Sequence, residues 1–227
     1  MGSLEVAGVE MGSVEMGRVE AYVEVARPPG HRALLEAARQ EFAERGYGGT
    51  SIRDIAQRAG VSLSALYHYY GGKQELLYAL LDEGMDRFQR ACDTALAGAG
   101  GDPAERLEAL VEATVRFRAG QRDRSSIELM EERSLNAEQR AHFRRRRAAA
   151  TQMFQQVVEE GRARSLFLTP HPEDARRGVI AMCNAIAQWY RPEGELTVDD
   201  LVERYVSLAF ALVEYHPRRA RRVGGVR

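Results

Sequence analysis

The residue types that perform covalent or metal chemistry are few in this sequence, and they are not spaced as in an active site. The two cysteines, Cys92 and Cys183, each lie in an apolar stretch, outside any CxxC or Cys/His cluster. We therefore expect two reduced, packed thiols and neither zinc nor another cofactor. The histidines lie apart, without a cysteine or carboxylate partner at motif spacing: His31, His68, His142, His171 and His216. Without a nucleophile–base pair or a glycine-rich phosphate loop, the sequence predicts a protein that is not an enzyme.

Charged residues could instead contact a polyanion, and their distribution along the chain is uneven. The net charge is -1, but the segment before residue 28 contains five glutamates and the segment after residue 216 is rich in arginine. Lysine occurs once, as Lys73. With 44% hydrophobic and 29% charged residues, the composition is typical of a soluble globular protein. No apolar run reaches the roughly 18 residues of a spanning helix, so we expect a cytoplasmic protein without a membrane partner.

Residues 50–70 combine apolar, small and capping residues in a compact local pattern. Two short helical patterns flank a tight turn, in which Gly60 can adopt the left-handed conformation and Ser62 begins the second helix. That second helix opens with small side chains, which let its N-terminus approach base edges in the major groove. The spacing predicts a helix-turn-helix, with Thr50 capping its first helix.

This stretch and its flanks resemble the DNA-binding head of the TetR family of bacterial regulators. The resemblance covers residues 31–83 and rests on many positions. They are Ala37-Ala38, Phe42, Gly46-Tyr47, Thr50, Ile52 to Ala56, Ala59 to Ser62, Leu66-Tyr67, Tyr70, Lys73 and Glu75 to Leu77. The resemblance implies a homodimer that binds a palindromic operator in double-stranded DNA and responds to a small-molecule effector.

The resemblance also implies which residues contact DNA. Thr50 and Arg53 would flank one phosphate, and Lys73 would lie against another at the start of the next helix. The full set is Thr50, Arg53, Leu63, Ser64, Ala65, Tyr67, His68, Tyr69 and Lys73.

Two features of this head leave alternatives open. The aromatic run Tyr67 to Tyr70 could be a structural cluster, with Tyr70 in the core, and His68 could be exposed without a role. Gly71-Gly72 replaces a pair that is more often bulkier, polar or basic in the family. That change would loosen the head or weaken its affinity for the DNA backbone.

Helical periodicity continues to the C-terminus, which predicts an all-α protein with a three-helix head on a body of about six helices. A long amphipathic helix from Gln74 to about Ala97 leads from the head into the body. Further helices are predicted at residues 103–119, 123–133, 136–162, 172–190 and 197–215. We divide the chain into an N-terminal arm (1–27), a DNA-binding domain (28–88, motif 51–70), a ligand-binding and dimerisation domain (89–216) and a basic tail (217–227). We expect the acidic arm to be disordered or to shield the basic tail.

The last two predicted helices carry a second resemblance. Asn184 to Thr197 is similar to the C-terminal segment of TetR-type regulators of fatty-acid and steroid catabolism, which respond to acyl-CoA thioesters. Two apolar helices at this place form a four-helix dimer interface in the family, so Trp189 and Tyr190 could also pack at its edge. The implied interface residues are Ala181, Ala185, Trp189, Tyr205, Leu208 and Leu212.

Four consecutive arginines, Arg144 to Arg147, lie inside a predicted helix. Since successive helical residues turn by about 100°, at least one should point toward the body. The arginines could bind the phosphates of coenzyme A, or form a solvated face paired with Glu131, Glu132 and Glu138. The residues predicted to bind the ligand are Phe88, Phe117, Met130, Arg144, Arg147, Met153, Phe154 and Asn184. The apolar members of that set are equally good core residues.

Together these features predict a DNA-binding transcriptional regulator, a repressor that a small molecule releases from its operator. An acyl-CoA thioester is the expected effector, and a hydrophobic drug-like compound or another small metabolite is the alternative. A helical interaction module that does not bind DNA is the alternative function.

Overall fold

The computed structural model describes residues 29–120, 127 and 131–217, and this part of the chain is almost entirely helical. The predicted N-terminal arm, nearly all of the predicted basic tail and Met130 lie outside the described residues. The helices are α1 (Pro29–Gly49), α2 (Ile52–Arg58), α3 (Leu63–Tyr69), α4 (Lys73–Gly98), α5 (Pro103–Gly120), α6 (Ala137–Ala163), α7 (Pro172–Trp189) and α8 (Val198–Leu212). A short 3-10 turn, Glu132–Ser134, precedes α6.

The first three helices and the start of α4 enclose a small apolar core. It is formed by buried side chains from each helix: Leu34, Phe42, Ile55, Leu66, Leu76 and Leu77. An ion pair orients α2 on α1, since Arg58 Nε lies 2.6 Å from Oε1 of the buried Glu41. The regular path of α1 breaks at Gly46, whose φ of 69° only glycine adopts readily.

The first motif helix begins one residue later than predicted. Ser51, not Thr50, is its N-cap: the Ser51 side chain accepts from the Asp54 amide, and Asp54 accepts from the Ser51 amide. Hydrogen bonding of the Asp54 carboxyl to the side chain and to the backbone amide of Ser51 holds its pKa below the usual range. The Thr50 hydroxyl is instead buried and donates to the carbonyl oxygens of Glu41 and Gly46, at 3.0 and 2.9 Å. Thr50 therefore ties α2 to the break in α1.

The turn between α2 and α3 has the predicted geometry. Gly60 lies at φ 66°, and the amide of the next residue, Val61, donates to the Ala56 carbonyl at 3.1 Å. Ser62 caps α3 by accepting from the Ala65 amide at 3.1 Å. The angle between the two motif helices therefore depends on one left-handed residue.

Replacing Gly60 with alanine is expected to cost about 1 kcal/mol of unfolding free energy, measured by urea denaturation. A Cβ at Gly60 would meet no atom within 4 Å, so the cost comes from the backbone conformation alone. The matched control is Gly72→Ala, because a Cβ there also meets nothing within 4 Å and the backbone is extended. Equal stability of the two variants would contradict the prediction.

The body is built around α5, which packs against α4, α6, α7 and α8. Helix α4 belongs to both parts of the protein, because it runs through the predicted domain boundary at residue 88 and ends at Gly98. Cys92 and Cys183 are free and buried in the body, as predicted. Burial raises the pKa of both thiols to about 12, which keeps them protonated and unreactive.

Beyond α8, the described chain turns back along the segment that links α6 to α7. The Leu168 amide donates to the Glu214 carbonyl at 3.1 Å, and the His216 amide donates to the Leu166 carbonyl at 2.9 Å. One isolated β-bridge, Phe167 with Tyr215, results. The predicted helix 197–215 therefore ends at Leu212, and a turn at Val213 and Glu214 leads into the bridge at Tyr215.

Candidate DNA-binding and effector sites

The outer surface of α3 presents the side chains that the sequence predicts to face DNA. Tyr67 is 51% exposed, and Ser64, His68 and Tyr69 are also exposed. Leu63 and Ala65 are half-buried, and Leu63 packs partly on the head core. The helix therefore offers hydroxyls, an imidazole and aromatic rings on a rigid, capped element.

The last aromatic residues of α3 pack against the start of α1. The buried Tyr70 hydroxyl lies 2.7 Å from Nε2 of His31, which confirms the prediction that Tyr70 belongs to the core. The Tyr69 ring lies edge-on to His31, with centroids 6.1 Å apart, and lies against Gly30. His31 thus has a structural role that the sequence did not reveal, because its partners are about 40 residues away along the chain.

Lys73 and Thr50, which the sequence predicts at phosphates, also make contacts within the head. Lys73 Nζ donates to the carbonyl oxygens of Tyr47 and Thr50, both at 2.7 Å, and lies 4.2 Å from the Tyr47 ring centroid. Both carbonyl groups lie shortly after the break in α1 at Gly46, where the regular helical hydrogen bonding is interrupted, and the ammonium binds them. Of the three residues predicted at phosphates, Arg53 keeps an exposed side chain.

The arginine run divides between the surface and the body, as helical geometry requires. Arg144 and Arg147 are exposed and pair with Glu132, at 2.7 and 2.6 Å. These pairs favour the alternative of a solvated face paired with a glutamate, and the role of Arg144 and Arg147 at a ligand stays a prediction. Arg146 points inward and pairs with Asp82 and Asp86 of α4. One member of the run thus fixes α6 to the helix shared by head and body.

Three further contacts join the head and α4 to the start of the α6 region. Oε1 of Glu131 accepts from the Tyr47 amide at 3.1 Å, and the Gln74 side chain donates to the Ser134 carbonyl at 3.1 Å. The Tyr78 hydroxyl lies 2.6 Å from Nδ1 of His142. Polar contacts of this kind depend on the exact position of α4, so a shift of α4 would break or remake them.

A buried arginine occupies the middle of the body, where α4, α5 and α7 meet. Arg118 is only 4% exposed; its guanidinium carbon lies 5.2 Å from the Phe88 ring centroid and 5.6 Å from that of Phe117. Its Nε donates to Oδ1 of Asn184 at 3.0 Å. Three predicted ligand residues, Phe88, Phe117 and Asn184, therefore meet around a cation. The buried Thr114 lies one turn before Arg118 on α5.

Arg118 is the functional candidate that the sequence reading missed. A signal was present, because Arg118 follows Val111, Thr114 and Val115 on the buried face of α5 at helical spacing. A charged residue at a core position of an amphipathic helix needs a partner or a ligand.

Two further predicted ligand residues lie on α6. Met153 and Phe154 are buried in the core, and Gln89 Nε2 of α4 lies 3.7 Å from the Met153 sulfur. Their burial fits the alternative of core packing equally well.

An apolar face remains exposed on α7 and α8. Trp189 is 45%, Leu208 51% and Leu212 40% exposed, although both helices also contribute buried side chains to the core. The remaining predicted interface residues share this part of the surface: Ala181 is exposed, and Ala185 and Tyr205 are half-buried. An exposed cluster of large apolar side chains on two packed helices is typical of a protein–protein interface.

Comparison with known protein families decides the identity of this architecture. Residues 34–80 match the model described as "Bacterial regulatory proteins, tetR family", and residues 100–213 match "Tetracyclin repressor-like, C-terminal domain". The chain belongs to the TetR family. The two matches place a TetR head on α1 to α4 and a TetR body on α5 to α8.

Individual relatives of this TetR chain agree. The transcriptional repressor KstR2 of Mycobacterium tuberculosis H37Rv is 28% identical over 180 residues, which cover 77% of the chain and 88% of the relative. A TetR-family regulator from Rhodococcus RHA1 superposes with a TM-score of 0.77 at 28% identity, over 83% of the chain and 98% of that structure. AibR in complex with isovaleryl coenzyme A and operator DNA superposes with a TM-score of 0.73 at 26% identity, over 82% and 100%.

The TetR assignment confirms the main sequence predictions. The family, the all-α fold with a helix-turn-helix head and the function of a ligand-responsive DNA-binding repressor are those predicted. Because TetR regulators are not enzymes, the prediction that this chain is not an enzyme is confirmed as well. None of the described helices is long and apolar enough to cross a membrane.

Proposed function

We propose that this protein is a homodimeric, cytoplasmic repressor that binds a palindromic operator through α3 and leaves it when an acyl-CoA thioester binds the body. The observation that carries the DNA-binding half is the exposed face of α3, presented by a capped helix-turn-helix. The exposed α7–α8 face supports the dimer. Two heads in one dimer would meet two half-sites on one face of DNA.

The effector half of the proposal rests on the cluster around Arg118 and on two relatives. AibR binds isovaleryl coenzyme A, and KstR2 is a repressor of the same family. Aromatic walls with a few convergent polar groups are typical of small-molecule sites. We assign Phe88 and Phe117 to the acyl chain, and the Arg118 guanidinium with the Asn184 amide to the thioester carbonyl oxygen.

The cluster is well placed to act on the head. Phe88 belongs to α4, Arg118 to α5 and Asn184 to α7, so a ligand that separates these side chains displaces α4 relative to the rest of the body. The contacts of α4 with Arg146 and His142 then rearrange, and the head moves with α4. A ligand that binds the moved form more tightly shifts the population toward the form that does not fit the operator.

Acyl-CoA titration into a complex with the promoter DNA upstream of the gene tests the effector class. We expect release at micromolar acyl-CoA and no release by coenzyme A alone. Release only by hydrophobic compounds without a thioester would favour the alternative effector class. Failure of the protein to bind any upstream DNA would favour the interaction module.

Arg118→Met is expected to raise the acyl-CoA concentration needed for half-release by about tenfold or more, because the carbonyl oxygen loses a charged donor. Methionine keeps most of the apolar bulk, and replacing a buried charged residue by an apolar one of similar size is often tolerated. Operator affinity without effector should stay within about twofold, as measured by fluorescence anisotropy. The matched control is Arg145→Met on the surface, which should leave both constants unchanged. An unchanged response of Arg118→Met would remove Arg118 from the site.

A further inference from the structure

An open groove runs between the second half of α4 and α5, on the side away from the Arg118 cluster. Its volume is about 560 Å³, and alanines line its floor: Ala91, Ala95, Ala109 and Ala113. Gly98 and Gly100 line the end at which α4 passes into α5. A floor without large side chains admits an extended peptide close to both helices.

Helix α5 forms an acidic wall of this α4–α5 groove. Glu105, Glu108 and Glu112 line it, and Glu105 and Glu108 are exposed. Glu112 is paired with Arg116 at 2.8 Å, and Arg116 also reaches Asp199 of α8 at 2.8 Å. Two carboxylates beside an apolar floor repel a phosphate-bearing ligand such as coenzyme A and favour a basic, apolar partner.

The described part of the chain ends at Pro217, near the end of the groove that Gly98 and Gly100 line. The residues that follow in the sequence are basic and small. The His216 amide is hydrogen-bonded to Leu166, and the Arg164 guanidinium, two residues earlier, donates to the Gly101 carbonyl at 2.9 Å. The chain after Pro217 therefore starts close to the α4–α5 connection. Its ten residues, 218–227, can span at most about 35 Å.

The composition of residues 218–227 complements the groove. Five of the ten are arginines: Arg218, Arg219, Arg221, Arg222 and Arg227. The others are Ala220, Val223, Gly224, Gly225 and Val226, all small enough to lie on a floor of alanines. Attachment to the same chain gives the segment an effective concentration near the millimolar range, so weak contacts suffice.

We propose that residues 218–227 dock in the α4–α5 groove of their own chain, with arginines on Glu105 and Glu108 and valines on the alanine floor. The docked tail fastens α5 to the helix that carries the head. This proposal goes beyond the proposed function and does not depend on the identity of the effector.

Disulfide trapping in the full chain tests the docking. Glu108→Cys combined with Val223→Cys should form an intramolecular disulfide about tenfold faster than Gln156→Cys combined with Val223→Cys. Gln156 is exposed on α6, outside the groove. The native thiols do not compete, because both are buried. Equal rates for the two pairs, or a disulfide between two chains instead of within one, would overturn the proposal.

Limited trypsin digestion supplies an independent readout with native cysteines. Release of the C-terminal peptide, followed by mass spectrometry, should be several-fold faster in the double variant Glu105→Gln and Glu108→Gln than in the wild type. Raising the salt concentration should remove the difference, because the charges are at the surface. The paired variant Glu159→Gln, an exposed glutamate on α6, should digest like the wild type. Protection of the tail that appears only when DNA is added would show that DNA, not the groove, is its partner.

Discussion

Replacing Tyr67 with alanine is expected to weaken operator binding by about a hundredfold while leaving the melting temperature unchanged or slightly higher. The ring is 51% exposed, so its removal leaves no cavity, and alanine is the better helix former. If each half-site loses about 1–2 kcal/mol, the two heads together lose about 2–4 kcal/mol, and each 1.4 kcal/mol is tenfold in affinity. Anisotropy titration with labelled operator measures the effect.

The control for this variant is Leu168→Ala, which removes a side chain of similar exposure, 49%, from the body. It should leave operator affinity intact. Tyr67→Phe separates the ring from the hydroxyl, since it keeps the apolar contact and loses only the hydrogen bond. Wild-type affinity of Tyr67→Ala would mean that α3 does not read DNA through this residue.

Leu208→Arg is expected to convert the proposed dimer into a folded monomer and to reduce operator affinity by more than about a hundredfold. A charge at the centre of an apolar interface must be desolvated without a partner, which costs several kcal/mol. Two heads on separate chains then bind half-sites independently and lose the advantage of being linked. Sedimentation velocity at micromolar protein measures the mass, and circular dichroism checks that the helices are intact.

Leu168→Arg gives the same change in charge at an exposed leucine outside the α7–α8 face. It should remain dimeric and bind the operator normally. A dimeric Leu208→Arg would place the contact between subunits elsewhere on the surface.

The sequence was most informative where structure is decided by neighbouring residues. The left-handed Gly60, the Ser62 cap and the bounds of α4 to α7 to within a few residues follow from local periodicity and turn chemistry. The family resemblance supplied the head and its function for the same reason, since the motif is a continuous segment.

The sequence was least informative about side-chain contacts between residues that are distant along the chain. Lys73 is predicted at a phosphate, but local patterns do not show that its ammonium also binds the carbonyl groups of Tyr47 and Thr50. Periodicity showed that one arginine of the run must turn inward, yet Arg146 was identified only by the position of Asp82 and Asp86. Arg118 likewise could be recognised as a candidate site residue only from the structure, in which α4 and α7 place Phe88 and Asn184 beside it.

The unbroken course of α4 has a mechanical consequence. Its 26 residues make a rod of about 39 Å. The helix-turn-helix precedes its first turn, and Phe88 of the Arg118 cluster lies in its second half. A tilt of about 5° moves the end of such a lever by about 3.4 Å, which equals the rise of one base pair. In the proposed dimer the two α4 helices would swing in opposite directions, so a small tilt of α4 at the proposed effector site would put the two heads out of step with the DNA helix.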